Sequence, residues 1–295
     1  MKHRRLIADL ALIAVTAVWG LTFVVVKRAL QDASPLLFNA VRMTLASGLL
    51  ALLYGHHLRA IARRVWLAGA TLGFLMAAGY AFQTLGLLRT TPAKAGFITG
   101  LSVVLVPLLT AMGAGRSPRW NAWLGTAAAT VGLYFLAFSG TAGWRGVNRG
   151  DLLVLVCAVA FAGHIVVLGH FSRQHAFQPL AILQIGFAAL FTWLAAPVQP
   201  GYFHGTTRLW IALAVTAVLA TALAFTVQAW AQQFVPATHA ALLFTLEPVF
   251  ACAASYFWEH ERLQPRQIAG SVLILLAILV TELIVPGPTG GEALA

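Results

Sequence analysis

The sequence predicts an all-α membrane protein with ten transmembrane helices in two inverted five-helix repeats. Three observations carry this prediction. Of 295 residues, 60% are hydrophobic and 9% charged, where a soluble domain carries about 25% charged residues, and the mean hydropathy is +0.84. Such a chain cannot cover its surface with charge in water, so lipid must solvate most of it, which excludes a soluble enzyme or a DNA-binding domain. The chain also divides into ten apolar stretches of about 20 residues, the length a helix needs to cross about 30 Å of hydrocarbon. Finally, the second half repeats the first at a nearly constant offset: Asp9-Leu10 and Asp151-Leu152, Trp66 and Trp210, Gln83 and Gln228, Pro92-Ala93 and Pro236-Ala237, Gly125 and Gly270. A duplicated unit with five crossings must lie in the membrane in opposite orientations in its two copies.

The elements follow in order. Lys2-His3-Arg4-Arg5 precedes the first span, 7–26, whose apolar run is too long for a signal peptide and has no small-residue cleavage site after it. The second span, 34–54, opens at Pro35, and the third, 65–88, lacks the alternation of a barrel strand. The fourth, 93–114, contains Pro107, and 120–138 completes the first repeat, residues 1–138. Ser139–Gly150, rich in glycine, reads as a linker. The second repeat, 151–285, comprises 151–171, 179–197, 208–230, 237–257 and 266–285, followed by a short tail, 286–295.

The net charge of +11 and isoelectric point near 10.8 raise the question of a polyanion partner. The basic residues sit in short turns between apolar runs and so read as anchors facing lipid headgroups, with no nucleic acid as partner. In the first half the N-terminal side holds Lys2, Arg4, Arg5, Arg59, Arg63, Arg64, Arg116 and Arg119 against Lys27, Arg28, Arg89 and Lys94. The first helices tend to set orientation, so both termini are expected in the cytoplasm of a multi-pass protein of the cell inner membrane. Cys157 and Cys252 lie inside apolar runs, without metal-ligand spacing, and no cofactor is expected. No Walker loop, His-Glu-x-x-His, Gly-x-Ser-x-Gly or dinucleotide fingerprint is present. The cluster Glu259, His260, Glu261 and Arg262 reads as an interfacial cap.

Polar and helix-breaking residues at membrane depth are the candidates for function. Pro107 and Pro248 occupy nearly corresponding places in the two halves and are expected to bend their helices beside a midplane site. Glu247 is the deepest acid, and two roles fit it: a proton- or cation-responsive cavity group, or a carboxyl bonded to a neighbouring helix. For Arg42, neutralising an acid, contacting an anionic substrate and snorkelling all fit. His164 and His239 are titratable near neutrality. Trp19 and Thr22, Phe161 and His164, Tyr80 and Gln83, and Phe225 and Gln228 each set an aromatic and a polar group three residues apart on one helical face. Aromatic walls with a few polar contacts suit an amphipathic organic molecule, although glutamine or histidine bonding across a helix interface gives the same pattern.

Several stretches resemble the EamA-type members of the drug/metabolite transporter superfamily: Trp19 to Lys27 with Pro35 and Arg42, Thr91 to Leu101 with Val104 to Leu108, Leu246 to Ala251, and Glu261-Arg262-Leu263 ending at Gly270. The likeness covers nearly the whole chain. It departs at Arg116, which stands in the first half where the second has Glu261. The resemblance implies a central cavity at or near Trp19, Thr22, Tyr80, Gln83, Phe97, His164, Gln228 and Glu247. It further implies alternating-access movement, often outward, of small organic metabolites such as amino acids or related, partly apolar solutes. A lipid-linked or glycolipid flippase and a membrane-embedded transferase are the alternatives. The partners expected are a small-molecule substrate and the lipid bilayer, and a monomer suffices for this plan.

Overall fold

The computed structural model describes residues 2–59, 61–90, 92–114, 120–137, 148–258 and 264–284. Glu259, His260, Glu261, Arg262, Arg116, Arg119 and linker residues 139–147 lie outside the described residues. The described chain is helical: α1 Lys2–Ala29, α2 Pro35–Tyr54, α3 Arg63–Leu87, α4 Pro92–Gly100, α5 Ser102–Ala114, α6 Trp120–Ala137, α7 Arg149–Phe171, α8 Phe177–Ala195, α9 Thr207–Ala217, a π-helical turn Val218–Leu223, α10 Ala224–Ala231, α11 Ala237–Phe244, α12 Glu247–Trp258 and α13 Pro265–Ile284. Proline opens α2, α4 and α13, where its missing N–H is no loss. The α7 start carries a capping box in which the Asn148 side chain accepts from Asp151 N and the Asp151 side chain accepts from Asn148 N.

Eight helical stretches are long and apolar enough to cross a membrane: His3–Ala29, Pro35–Leu58, Arg63–Leu87, Lys94–Met112, Arg149–Phe171, Phe177–Val198, Thr207–Ala231 and Ala237–Ala254. The expectation of ten full spans is met only in part. The stretches read as 120–138 and 266–285 correspond to the shorter apolar segments Ala122–Phe135 and Pro265–Leu279, because both helices adjoin residues outside the described set. The outer surface of the bundle is apolar, with Leu52 86%, Val198 83% and Met112 81% exposed, as a lipid-solvated surface requires.

Three of the eight stretches depart from α-helix within their length, one of them Thr207–Ala231 with its π-helical turn. In Lys94–Met112 the helix tightens at Leu101, whose N–H bonds to Ile98 O at 3.2 Å. In Ala237–Ala254 the same three-residue bonding recurs, from Thr245 N to Leu242 O and from Leu246 N to Leu243 O, both 3.1 Å. Leu101 and Thr245 each lie nine residues past a proline, Pro92 and Pro236. The interruptions thus correspond between the halves, but they do not fall at Pro107, which is inside α5. Its missing N–H releases Val103 O, and the Thr126 hydroxyl donates to that carbonyl at 3.4 Å. Pro248 lies in the first turn of α12, directly after the second interruption.

Packing brings α3 against α7 and α8, α2 against α8, α6 against α13 and α1 against α12. The α1–α12 approach depends on Gly20: a Cβ there would lie 2.5 Å from Glu247 O and 2.8 Å from Phe250 Cβ. A loop clamp joins the two halves at the Lys27 end of α1. Arg208 Nε and Thr206 Oγ1 each donate to Asp32 Oδ2 at 2.8 Å, His204 N donates to Asp32 O at 2.7 Å, and Tyr202 Oη donates to Leu30 O at 2.7 Å.

Two outcomes follow. Gly20→Ala is expected to lower stability by about 1–3 kcal/mol through overpacking. Gly48→Ala, where a Cβ meets nothing within 4 Å, should not; thermal unfolding of the two purified variants in detergent checks the contrast. The hydrogen bonds from Arg208 and then Thr206 hold the Asp32 carboxyl below the usual carboxylate range. Its contribution is therefore fully present above about pH 4, the unfolded value, and is lost as pH falls through the depressed native value. Melting curves from pH 6 to 3 should show a smaller acid loss in Asp32→Asn than in the parent.

Candidate functional site

A central cavity lies where the irregular segments meet. Its empty space, open mouth included, is about 730 Å³. Trp19 and Thr22 enter from α1, Arg42 from α2, Tyr80 and Gln83 from α3, Phe161 and His164 from α7, Phe225 and Gln228 from α10, Phe244 from α11 and Glu247 from α12. Thr99, Gly100 and Ser102 line it at the Leu101 interruption. Both interrupted helices therefore border the cavity at their breaks.

The walls are aromatic and interlocked. The Trp19 ring centroid lies 5.3 Å from that of Phe225 and 5.2 Å from that of Phe244. Tyr80 meets Phe161 at 5.2 Å and Phe225 at 6.0 Å, both edge to face, and the His164 ring meets Phe225 at 5.5 Å. These edge contacts fix the rings without filling the chamber. Trp19 Nε1 donates to Ala220 O at 2.9 Å, and Thr22 Oγ1 to Trp19 O at 2.9 Å.

The polar residues divide by whether they are already engaged. His164 Nε2 and Gln184 Oε1 are 2.9 Å apart, so His164 is tied to α8 as well as lining the cavity. Gln228 Nε2 donates to Gln232 Oε1 at 3.1 Å, and Gln232 Nε2 in turn donates to Ile165 O; among the described residues Gln228 Oε1 has no hydrogen-bond partner. Arg42 is 3% exposed. It donates from Nε to Thr221 Oγ1 at 2.7 Å and from Nη2 to Tyr80 Oη at 3.1 Å, with its guanidinium 4.3 Å from the Tyr80 ring centroid. Glu247 lines the cavity, and among the described residues its carboxylate has no hydrogen-bond or ion-pair partner. One chamber thus holds an anchored cation and an acid with free acceptors.

Of the residues singled out in sequence, Trp19, Thr22, Tyr80, Gln83, His164, Gln228, Glu247 and Arg42 line this one cavity. Phe97 does not line it; it is 6% exposed and packs with Val103, Leu133, Leu246 and Ile274. Nor does His239, whose Nε2 lies 3.2 Å from Asp9 Oδ1 near the start of α1. Pro107 and Pro248 are both buried, and Pro248 approaches Gly96. The sequence did not single out Thr99, Ser102, Phe244 or Thr221. No periodicity marks them: Thr99, Ser102 and Phe244 line the cavity beside a break, and Thr221 bonds to Arg42 from the π turn. Phe161 and Phe225 were visible only as partners of the repeated aromatic–polar spacing.

The chain was compared with known proteins. The model of the EamA-like transporter family matches residues 6–138 and 148–283. A protein of Archaeoglobus fulgidus named as an uncharacterized transporter is 36% identical over 281 residues, covering 95% of this chain and 87% of that protein. YwfM and YoaV of Bacillus subtilis, also named as uncharacterized transporters, are 28% and 23% identical; they cover 89% and 92% of this chain, and 89% and 95% of their own lengths. A solved crystal structure superimposes with a TM-score of 0.76 at 19% identity, covering 94% of this chain and 96% of its own, and so shares the fold. The apolar helical bundle and a family match spanning both halves lead to one conclusion: this multi-pass membrane protein belongs to the EamA-like transporter family.

Proposed function

We propose that the protein is a secondary transporter that carries small organic metabolites, amino acids or related, partly apolar solutes, outward across the inner membrane by exposing its cavity alternately to each face. The observation that carries this reading is the cavity itself: a chamber bordered by two interrupted helices, walled by aromatic rings and lined by a basic and an acidic side chain, Arg42 and Glu247. A solute with an apolar body and both an anionic and a cationic group matches those features in kind. The repeats 1–138 and 151–285 are the two moving units, with ten crossings and both termini cytoplasmic. The neighbour pattern supports two equivalent units, because it survives exchange of the halves: α2 packs on α8 and α6 on α13, while α5 on α7 is answered by α12 on α1, and α4 on α12 by α11 on α5.

Alternating access needs contacts between the units at both ends that break in turn. Two related ones are present. Asp9 of α1 faces His239 of α11 at 3.2 Å, and Asp151 of α7 faces Lys94 of α4 at 3.6 Å, with the Thr90 hydroxyl also donating to Asp151. Asp9 and Asp151 are repeat counterparts, and each pair joins opposite halves. They lie at opposite ends of α1: Lys27 Nζ donates to Leu87 O and Thr90 O, beside Asp151, and Lys27 is about 27 Å along the helix from Asp9.

Uptake of labelled amino acids and aromatic metabolites into proteoliposomes, with and without an imposed pH gradient, tests the transport reading. Saturable flux of chemically unchanged solute is expected, and its absence for every compound overturns the reading. Glu247→Gln should alter the response to the gradient. Labelling of Gln83→Cys in oriented vesicles tests the paired ends: Asp9→Asn should raise access from the N-terminal face and Asp151→Asn from the other. Equal shifts in the same direction would remove the basis for alternation.

A further inference from the structure

The cavity cation Arg42 is held by a segment of the chain that is not α-helical. In the π turn Val218–Leu223 the Ala224 N–H, which in an α-helix would bond to Ala220 O, goes to Leu219 O and Thr221 O instead. Ala220 O is left to accept from Trp19 Nε1 at 2.9 Å and lies 3.4 Å from Arg42 Nη2. The Thr221 hydroxyl has a single hydrogen, which it donates to Thr216 O at 2.8 Å, five residues back. Toward Arg42 it can therefore only accept, and it does so from Nε at 2.7 Å. Arg42 and Trp19 belong to the first half of the chain and the π turn to the second, so two wall residues from one half are set by irregular backbone from the other.

An arginine carries five N–H donors in a fixed plane. Nε and Nη2 are directed at Thr221, Tyr80 and Ala220. Among the described residues nothing accepts from Nη1, and Arg42 is one of the residues bordering the cavity. Stacking over the Tyr80 ring at 4.3 Å fixes the plane. The unused edge is thereby offered to the chamber, where a donor pair suits a carboxylate oxygen.

We propose that the π turn is the positioning element of an anion subsite in the cavity, with Thr221 as its specificity-determining residue: it holds Arg42 so that Nη1 meets the carboxylate of a small solute, while Trp19 of α1, bonded to the same turn, sets the wall for the apolar part. This rests on the transport reading and adds to it a subsite for one chemical group. Arg42 is the contact residue. Thr221 acts through it, so its removal should change preference between solutes more than capacity for transport.

The test uses phenylalanine and phenethylamine, which differ by the carboxylate, in proteoliposomes containing the full chain. Thr221→Val keeps the shape and removes the hydroxyl, and Thr221→Ser keeps the hydroxyl. The ratio of apparent affinities, carboxylate solute over amine, is expected to fall about tenfold or more in Thr221→Val, as for loss of a hydrogen bond to a charged group, and to be retained in Thr221→Ser. An unchanged ratio in Thr221→Val, or an equal fall in Thr221→Ser, overturns the proposal. Calorimetric titration of the purified protein with 3-phenylpropanoate separates it from the transport reading. Binding that weakens in Thr221→Val without any flux keeps the subsite and sinks transport, whereas no binding to the parent protein sinks the subsite whatever the flux.

Discussion

Inside hydrocarbon no water is available to a backbone N–H, a carbonyl or a charged side chain, so each must find its partner within the protein or face a wet cavity. The rest of the structure depends on that constraint. Regular helix answers it over most of the lipid-facing surface. Where the helices depart from regularity, at Leu101, at Thr245 and Leu246, and in the π turn Val218–Leu223, the departure is turned inward, and residues at or beside each one border the cavity or bond to residues that do. Pro107 shows the same constraint with the opposite outcome. Its released carbonyl is taken by Thr126 on the neighbouring helix, so that irregularity closes on itself within the bundle.

The charges follow the same logic by depth. Asp9, Asp151 and Asp32 sit near helix ends, each beside a basic group from the other half of the chain. These contacts join the two halves of the chain near the helix ends. Arg42 is different in kind. A buried guanidinium without partners would cost several kcal/mol, and it is stabilised by a hydroxyl, a phenol, a carbonyl and a ring face drawn from α3 and the π turn. Glu247 lines the cavity without a hydrogen-bond or ion-pair partner among the described residues, and Gly20 brings α1 against the backbone of that same residue.

Much of this was readable along the chain because lipid imposes a strong, local pattern. Hydropathy over about 20 residues marks the spans, and the cost of polar groups at depth marks Arg42, His164, Gln228 and Glu247. The aromatic–polar spacing of three residues puts Trp19 with Thr22 and Tyr80 with Gln83 on single helical faces, and those faces border the cavity. Phe97, which only the family resemblance placed at or near the cavity, packs against α6 and α13. Prolines suggested where helices bend: Pro248 directly follows its break, but Pro107 does not mark one, since its lost hydrogen bond is compensated by a neighbouring helix that sequence does not reveal.

Composition, span length and the internal repeat determined by themselves that this chain is a membrane bundle and which residues at depth demand explanation, because each of those signals lies within one helix or in the register between the halves. Only the tertiary structure decided which residues share a chamber and which are already engaged. Asp9 reaches His239, Arg42 reaches Thr221, and Trp19 reaches the carbonyl of Ala220. These partners are far apart in the chain, and the π turn that creates two of the contacts comes from how backbone hydrogen bonds settle once neighbouring helices are in place. That choice leaves no periodic mark in the order of the amino acids.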